Sequence, residues 1–277
     1  MTSKNRFVLS LIGALAVFTT GAFVWMTVLA PQATKASKAD IGLAKIAAAG
    51  AKAGMDGVPQ VVEAPPADAA PEAPLVFDHP GSAQVAEAAL AKMPIYPSAG
   101  AATPSRTLDN PTREGMRLVL GVREVKGDWL RVQLPVRPNG TMGWVKKADV
   151  AMRSVPNHIV IEISKRKLTA WKGDTLLLES PAGVGTPKTP TPEGTYYVDV
   201  SARNPGHGMG VHMLSVSGFS NVLRNFAGGT GQIAIHGTSN MATVGAFSSN
   251  GCIRLPNETI VKLARIAPTG TPVYILP

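Results

Sequence analysis

A stretch near the start of the chain, from Phe7 to Ala30, contains 24 residues without a charge. As a helix it would be roughly 36 Å long, enough to cross the hydrocarbon core of a bilayer. Trp25 lies near its far end, where interfacial aromatic residues are common. A cleaved signal peptide is the alternative, but its apolar core is usually only about 7–15 residues long. We therefore predict a cytoplasmic stub and single-pass membrane anchor at residues 1–30, with the rest of the chain outside the cytoplasm.

Composition indicates a disordered linker at residues 31–92. Val58–Leu75 in particular carries many prolines and alanines with acidic residues between them. Such a segment buries too little apolar surface to offset the entropy lost on ordering, and its prolines favour an extended spacer. It is either a stalk that lifts the folded part off the membrane or a linker whose length is indifferent.

The positive charge is concentrated in the second part of the chain. The formal net charge is +9, and the seven basic and seven acidic side chains of residues 1–92 cancel. The excess at residues 93–277 favours an anionic partner such as a polyanionic envelope or acidic membrane surface, or simply aids solubility. No basic run is interleaved with aromatic residues, which argues against a nucleic-acid partner.

Short strands are predicted from residue 93 onward. Arg117–Val125 and Trp129–Leu134 alternate apolar and polar residues, which is the period of half-buried strands. Several such strands in a short span predict a small barrel at residues 93–153. The stretch around Trp129 and Trp144 resembles the last strands of a bacterial SH3-like domain, and both tryptophans are interpreted mainly as core residues rather than a ligand platform.

A second β region is predicted at residues 157–277. Lys167–Trp171 and Thr175–Ser180 flank the turn Lys172-Gly173-Asp174, a pattern that predicts a hairpin. Near the end, Asn257 is the predicted N-cap of one short helix. The region is therefore expected to be mostly β with a single helix.

Cys252 is the only cysteine of the chain, and it follows Gly251 in a polar loop. His236 ends a predicted strand upstream of that loop. A thiol needs a base or a positive neighbour to become a thiolate at neutral pH, and an imidazole serves as either. The backbone N–H groups of Gly251 and Cys252 are a candidate oxyanion hole. A buried structural cysteine is the alternative, but the polar flanks and the expected extracytoplasmic setting argue against it.

Neither a metal nor a cofactor is predicted. His207, His212 and His236 lack the HxH or HExxH spacing of common metal sites. His207 lies between glycines and is interpreted as a surface residue. Thiol-based acyl transfer needs no cofactor, so none is expected.

His236-Gly237, followed by Ser249-Asn250-Gly251-Cys252-Ile253-Arg254, resembles the YkuD-type L,D-transpeptidase catalytic domain. The Thr-Pro steps within Gly183–Gly194 agree with the same family. The resemblance covers residues 157–277 and implies a β-sandwich. Many members have a histidine where this chain has Asn250, but the upstream histidine, here His236, is the family's usual base.

The resemblance implies action on peptidoglycan stem peptides, as donor and as acceptor. Cys252 would form a thioester with the donor and release D-alanine, and an amine of the acceptor would then make a 3–3 cross-link. The alternatives are an L,D-carboxypeptidase that uses water, and an inactive wall-binding scaffold. Arg254 is implied either to bind substrate or to brace the loop. Ser249 is implied either to orient the site through its hydroxyl or, the preferred interpretation, to shape the turn. The residues implied to support the motif and the oxyanion hole are Gly237, Ser249, Asn250 and Gly251.

Overall fold

The computed structural model describes residues 82–206, 208–226 and 228–277. All of these belong to the second of two units into which the chain divides, Val58–Pro277. The anchor predicted at residues 7–30 lies outside the described ranges. Among the described residues, no helix is long and apolar enough to cross a membrane. They fold mainly as β-strands, which confirms the predicted class.

Seven strands form an N-terminal β module. They are β1 Ala83–Ala88, β2 Lys92–Ile95, β3 Arg106–Asp109, β4 Val119–Lys126, β5 Trp129–Gln133, β6 Met142–Lys146 and β7 Val150–Val155. Five of them form a sheet in the order β6-β5-β4-β1-β7, and β2 pairs with β3. A bridge between Tyr96 and Trp144 joins this pair to β6. The likeness to an SH3-like domain stays a prediction.

Strand β1 lies within the segment that was predicted to be linker. It pairs with β4 on one side and β7 on the other, so it is an interior strand of the sheet. Val85 and Ala86 are fully buried there. The predicted boundary at residue 93 is therefore about ten residues late, because alanine has low strand propensity and concealed the strand.

Trp129 and Trp144 are half-buried, so the prediction that they form the module's core is wrong. The core is aliphatic instead, with Leu120, Leu130 and Val145 fully buried. Trp129 packs edge-on against Tyr96 at 5.0 Å between ring centroids. It also lines a cavity of about 330 Å³ on the module's surface.

Ten strands and one α-helix form the C-terminal module. They are β8 Asn157–Glu162, β9 Lys167–Lys172, β10 Thr175–Pro181, β11 Val184–Gly185, β12 Gly194–Arg203, β13 His212–Phe219, β14 Gln232–Thr238, β15 Phe247–Ser249, β16 Ile253–Pro256, α1 Asn257–Ile266 and β17 Pro272–Leu276. Eight strands form one mixed sheet in the order β10-β9-β8-β17-β12-β13-β14-β16, and β11 pairs with β15. The predicted β9–β10 hairpin and the single helix are confirmed.

One hydrophobic cluster unites both halves of this sheet with the helix. Ile159 and Leu168 enter it from β8 and β9, and Ile235 and Ile253 enter it from β14 and β16. Leu263 closes the cluster from α1, whose apolar residues repeat at helical spacing. The sheet therefore curls around a common core, and the site described below lies on the other face of β14 and β16.

Asn257 is not the N-cap of α1, as was predicted. Pro256 holds that position, and no side chain caps the helix. The Asn257 side chain instead accepts a hydrogen bond from the Val211 N–H at 3.2 Å. It thereby links the helix to the loop before β13, a tertiary contact that overrides the capping preference.

The two modules are joined by specific polar contacts and by only one residue, Pro156, between β7 and β8. The Gln133 side chain donates from Nε2 to the Thr195 backbone carbonyl at 2.7 Å. The backbone carbonyl of Gln133 accepts from the Tyr197 hydroxyl at 3.2 Å. Arg153 donates to the Thr269 carbonyl at 2.5 Å. These contacts use buried or half-buried groups, so the modules form one continuous structure.

Candidate active site

Strands β14 and β16 bring the predicted nucleophile and base together. The strands are parallel, with His236 opposite Arg254 and Ile235 opposite Ile253. Because side chains alternate between faces, the isoleucines point into the core, and His236, Arg254 and the preceding Cys252 share the opposite face. The register therefore makes Cys252 and His236 diagonal neighbours on adjacent strands, within reach of a long side chain.

The His236 ring is fixed by a backbone carbonyl. Its Nδ1 lies 2.9 Å from the carbonyl oxygen of Gly237. Since a carbonyl can only accept, Nδ1 carries the proton and Nε2 of the neutral ring keeps its lone pair. Gly237 is closely packed here, because a Cβ at this position would lie 2.3 Å from the Asn257 Oδ1 and that side chain would have to move. In the neutral His236 ring, Nε2 is therefore the nitrogen that can accept a proton.

Burial sets the ionisation of both groups in the same direction, toward the neutral form. Desolvation lowers the pKa of His236 below its usual 6.5, and the nearby Arg254 lowers it further, while the bond to Gly237 acts in the opposite sense. Desolvation raises the pKa of Cys252 above 9.0, with a partial offset from a backbone hydrogen bond with Ala234 and from Arg254. At neutral pH the pair therefore rests as thiol and imidazole, not as an ion pair.

The turn before Cys252 is shaped by Ser249. The Ser249 hydroxyl donates to the Cys252 carbonyl at 2.6 Å and accepts from the Gly251 N–H at 3.1 Å. The Gly251 N–H is therefore already engaged, which leaves the Cys252 N–H as the candidate oxyanion donor. Gly251 itself has φ of +112°, the unusual backbone angle for which a glycine is suited.

Two threonines of the Thr-Pro segment, Thr189 and Thr191, support this turn through hydrogen bonds. Thr191 is buried, and its hydroxyl accepts from the Gly185 N–H at 2.9 Å and donates to the Gly251 carbonyl at 3.0 Å. Thr189 donates to the Ser249 carbonyl at 3.1 Å and lies 3.3 Å from the exposed Asn250 side-chain oxygen. Sequence reasoning noted this segment as a family feature but did not assign its threonines a role.

Replacing Thr191 with valine is expected to lower the free energy of unfolding by about 2–4 kcal/mol, because two buried backbone groups lose their partner. Donor turnover by the folded fraction should fall as well, since the Cys252 loop loses its support. Chemical denaturation checks the first effect and turnover the second. Thr191→Ser keeps the hydroxyl and is the matched control. A valine variant as stable as the serine variant would contradict the assignment.

Arg254 braces the loop that contains Cys252. Its Nη1 donates to the Ser248 carbonyl at 3.0 Å, and its backbone pairs with Gly183 through bonds of 2.8 and 2.9 Å. Gly183 has no room for a side chain, since a Cβ would lie 2.1 Å from the Thr243 carbonyl oxygen. Of the two roles considered for Arg254, the contacts present are those of the brace.

His212, a described histidine on the neighbouring strand, does not join this site. His212 lies on β13, where its Nε2 is 2.9 Å from the Ser201 hydroxyl, and burial lowers its pKa. His207 lies outside the described residues. Within residues 82–206, 208–226 and 228–277, no three His, Cys, Asp or Glu side chains gather into a metal-binding group.

A buried carboxyl group on β12, the strand on the other side of β13 from β14, was not predicted from the sequence. Asp199 accepts from Gln232 Nε2 at 2.5 Å through Oδ2, while its Oδ1 is buried without a partner. Desolvation raises its pKa from 3.8 to about 6, although the side chains of Gln232 and Ser215 both act to lower it. Its charged form is therefore a cost to the folded state at neutral pH.

Asp199→Asn is expected to stabilise the protein more at pH 7 than at pH 4. Because the pKa of Asp199 is higher in the native state than in the unfolded state, the native state binds the extra proton in this range. Wild-type stability therefore falls as the pH rises from about 3.8 to 6. The difference in unfolding free energy between variant and wild type should grow by up to about 3 kcal/mol over this range. Thermal or denaturant unfolding at both pH values measures it, and Asp174→Asn in an exposed turn is the control. An equal effect of Asp199→Asn at both pH values would contradict the assignment.

Comparisons with known proteins converge on one family. Residues 156–275 match the YkuD family model, described as the L,D-transpeptidase catalytic domain. Over 122 residues the chain is 35% identical to the protein YkuD of Bacillus subtilis strain 168. This match covers 44% of this chain and 67% of that protein. The chain belongs to the YkuD L,D-transpeptidase family. The resemblance inferred from the Cys252 motif is thereby confirmed at the level of the family.

Other comparisons cover similar parts of the chain. YqjB of Bacillus subtilis is 38% identical over 109 residues, which are 35% of this chain and 60% of that protein. L,D-transpeptidase 3 of Mycobacterium tuberculosis is 16% identical, with a TM-score of 0.38, over 51% of this chain and 76% of that chain. Bd1075 of Bdellovibrio bacteriovorus is 23% identical, with a TM-score of 0.35, over 44% and 47% of the respective chains.

Proposed function

We propose that this YkuD-family chain is a peptidoglycan L,D-transpeptidase that forms 3–3 cross-links through a thioester on Cys252. The observation that carries the proposal is the β14–β16 register, which sets Cys252 diagonally beside His236 on one face of the sheet. The Nδ1 contact with the Gly237 carbonyl supports it further, because it leaves Nε2 as the basic nitrogen. Membership of the L,D-transpeptidase family makes stem peptides the natural substrate class.

In the first half-reaction His236 Nε2 removes the thiol proton of Cys252 as the sulfur attacks the donor carbonyl. The attacked bond joins the L-centre of the third stem residue to D-alanine. The developing oxyanion is held by the Cys252 N–H, since Ser249 occupies the Gly251 N–H. The C–N bond then breaks, and the imidazolium returns its proton to the departing amine of D-alanine.

In the second half-reaction an amine of another stem peptide attacks the thioester. His236 accepts a proton from that amine, the C–S bond breaks, and the proton passes to the sulfur. The products are a new amide between two third residues and the original thiol. General base catalysis of this kind suits a site in which burial keeps both groups neutral at rest.

Incubation of the full-length chain with disaccharide-tetrapeptide tests the proposal. Cross-linked dimer with one D-alanine released per link is the expected product, resolved by liquid chromatography and mass spectrometry. Tripeptide without dimer would identify an L,D-carboxypeptidase that uses water as acceptor. Unchanged tetrapeptide under conditions where the thiol is reactive would contradict the proposal and favour an inactive wall-binding scaffold.

The proposal includes a location at the cell membrane, with the catalytic module on the cell-wall side. The uncharged run at residues 7–30 supports it, and the linker would span the distance to the wall. Fractionation of cells that make the full-length chain, followed by protease treatment of spheroplasts, tests this. The expected result is a membrane-bound chain whose catalytic module is digested from outside.

A further inference from the structure

The connection between β13 and β14 leaves the sheet beside the Cys252 loop. Its two described legs are Ser220–Phe226 and Gly228–Gly231, which together are called the β13–β14 loop below. Because β14 and β16 run parallel, the segments that precede them, this loop and the Cys252 turn, lie at the same edge of the sheet. Continuing the register places Cys252 opposite Ala234, only three residues after the loop ends.

An arginine of the N-terminal module binds both legs of this loop. Arg137 donates from Nη1 to the Ser220 carbonyl at 2.7 Å, and from Nη2 to the carbonyls of Leu223 at 2.9 Å and Thr230 at 3.0 Å. One planar guanidinium thus joins the start of the loop to its end, a geometry that a lysine cannot reproduce. A Cβ on Gly231 would lie 3.0 Å from the Arg137 Nη2, so the backbone is packed closely there.

Asn139, two residues after Arg137, makes a second set of contacts; the contacts of these two residues are together called the clamp below. Asn139 donates from Nδ2 to the Phe219 carbonyl at 2.8 Å and accepts from the Phe219 N–H at 2.9 Å through Oδ1. The Arg137 guanidinium also lies over the Phe219 ring, 5.0 Å from its centroid. The segment that contains Arg137 and Asn139 is therefore an inter-module contact.

We propose that Arg137 and Asn139 are positioning residues for catalysis, through which the N-terminal module holds the β13–β14 loop beside Cys252, where the loop contacts the bound donor peptide. The inference rests on the proposed function for its effect on turnover. The loop's own hydrogen bonds are short-range, with Ser220 N–H bonded to the Gly231 carbonyl and Phe226 paired with Gly229. The bonds from Arg137 and Asn139 are the ones that fix this region to the N-terminal module. The N-terminal module is then a working part of the active site rather than a passive spacer.

Arg137→Ala and Asn139→Ala in the full-length chain test the inference. Loss of the Arg137 and Asn139 contacts should lower kcat/KM for the tetrapeptide donor by about ten- to hundredfold, mainly through KM, because the β13–β14 loop is no longer held in place. Alkylation of Cys252 by iodoacetamide at pH 9.5 should stay within about twofold of wild type, since the sulfur's own surroundings are unchanged. Arg137→Lys should behave like alanine, because the bidentate fork is lost.

Trypsin digestion of the native protein measures directly how readily the β13–β14 loop opens. Arg224 is exposed on the first leg, and cleavage after it should accelerate in the Arg137 and Asn139 variants. Arg131→Ala, which removes an exposed arginine of β5 paired with Glu124, is the matched control and should change neither readout. Cleavage and turnover equal to wild type in both clamp variants would overturn the inference. If wild type itself turns over no donor, the proposed function fails, while the cleavage difference still decides whether the clamp exists.

Discussion

Replacing Cys252 with alanine is expected to abolish cross-link formation, with a loss of at least about 10³-fold in turnover, because no other thiol is present to carry the acyl group. Dimer formation from disaccharide-tetrapeptide measures the loss. The unfolding midpoint should stay close to that of wild type, since the residue is only partly buried. Cross-linking that persists in the alanine variant would contradict the assigned nucleophile.

Cys252→Ser is the informative companion variant. It keeps the shape of the side chain but replaces the thiol by a hydroxyl, whose proton a neutral imidazole removes far less readily. The serine variant should therefore fold like wild type and be nearly as inactive as the alanine variant. Turnover near the wild-type level would mean that the loop, not the sulfur, determines the chemistry.

Replacing His236 with glutamine is expected to lower donor turnover by about 10²- to 10⁴-fold, the usual contribution of a general base. His212→Gln is the matched control, because His212 lies on the neighbouring strand and contacts Ser201 instead of the site. Steady-state turnover of the tetrapeptide by both variants makes the comparison. Equal losses in the two variants would contradict a specific role for His236.

The neutral resting pair has a measurable consequence in the pH dependence. The base is available only above its pKa, which burial lowers, so the acid limb of kcat/KM should have its midpoint below pH 6.5. Simple alkylation by iodoacetamide requires the thiolate, and the raised pKa of Cys252 means that its rate should still be climbing at pH 9. A rate that is level between about pH 6 and 8 would indicate a preformed ion pair instead.

Local patterns were sufficient to predict most of the C-terminal module. The β9–β10 hairpin follows from two alternating runs around a Gly-Asp turn, and α1 follows from apolar residues at helical spacing. Strand β1 was missed because alanine carries almost no strand signal, although neighbours on both sides bury it. The Asn257 cap was wrong because a contact with Val211, distant in sequence, competes with the local one.

The candidate site was predictable only in part. The residue types and order of His236 and Cys252 indicated thiol chemistry, but only the sheet register shows that they share a face. The commitment of the Gly251 N–H to Ser249 and the support from Thr191 depend on hydroxyl directions that no spacing encodes. Arg137 stood out least, because its three acceptors lie more than 80 residues away in another module.

Treatment of the full-length chain with a carbapenem, followed by intact-mass measurement and peptide mapping, tests whether Cys252 is the nucleophile. A thiol held beside a base should open the strained β-lactam and retain the whole inhibitor, because ring opening releases no fragment. We expect one adduct, on the peptide that contains Cys252, and no adduct in Cys252→Ala. An adduct on any other residue, or none on wild type, would contradict the claim that Cys252 is the nucleophile.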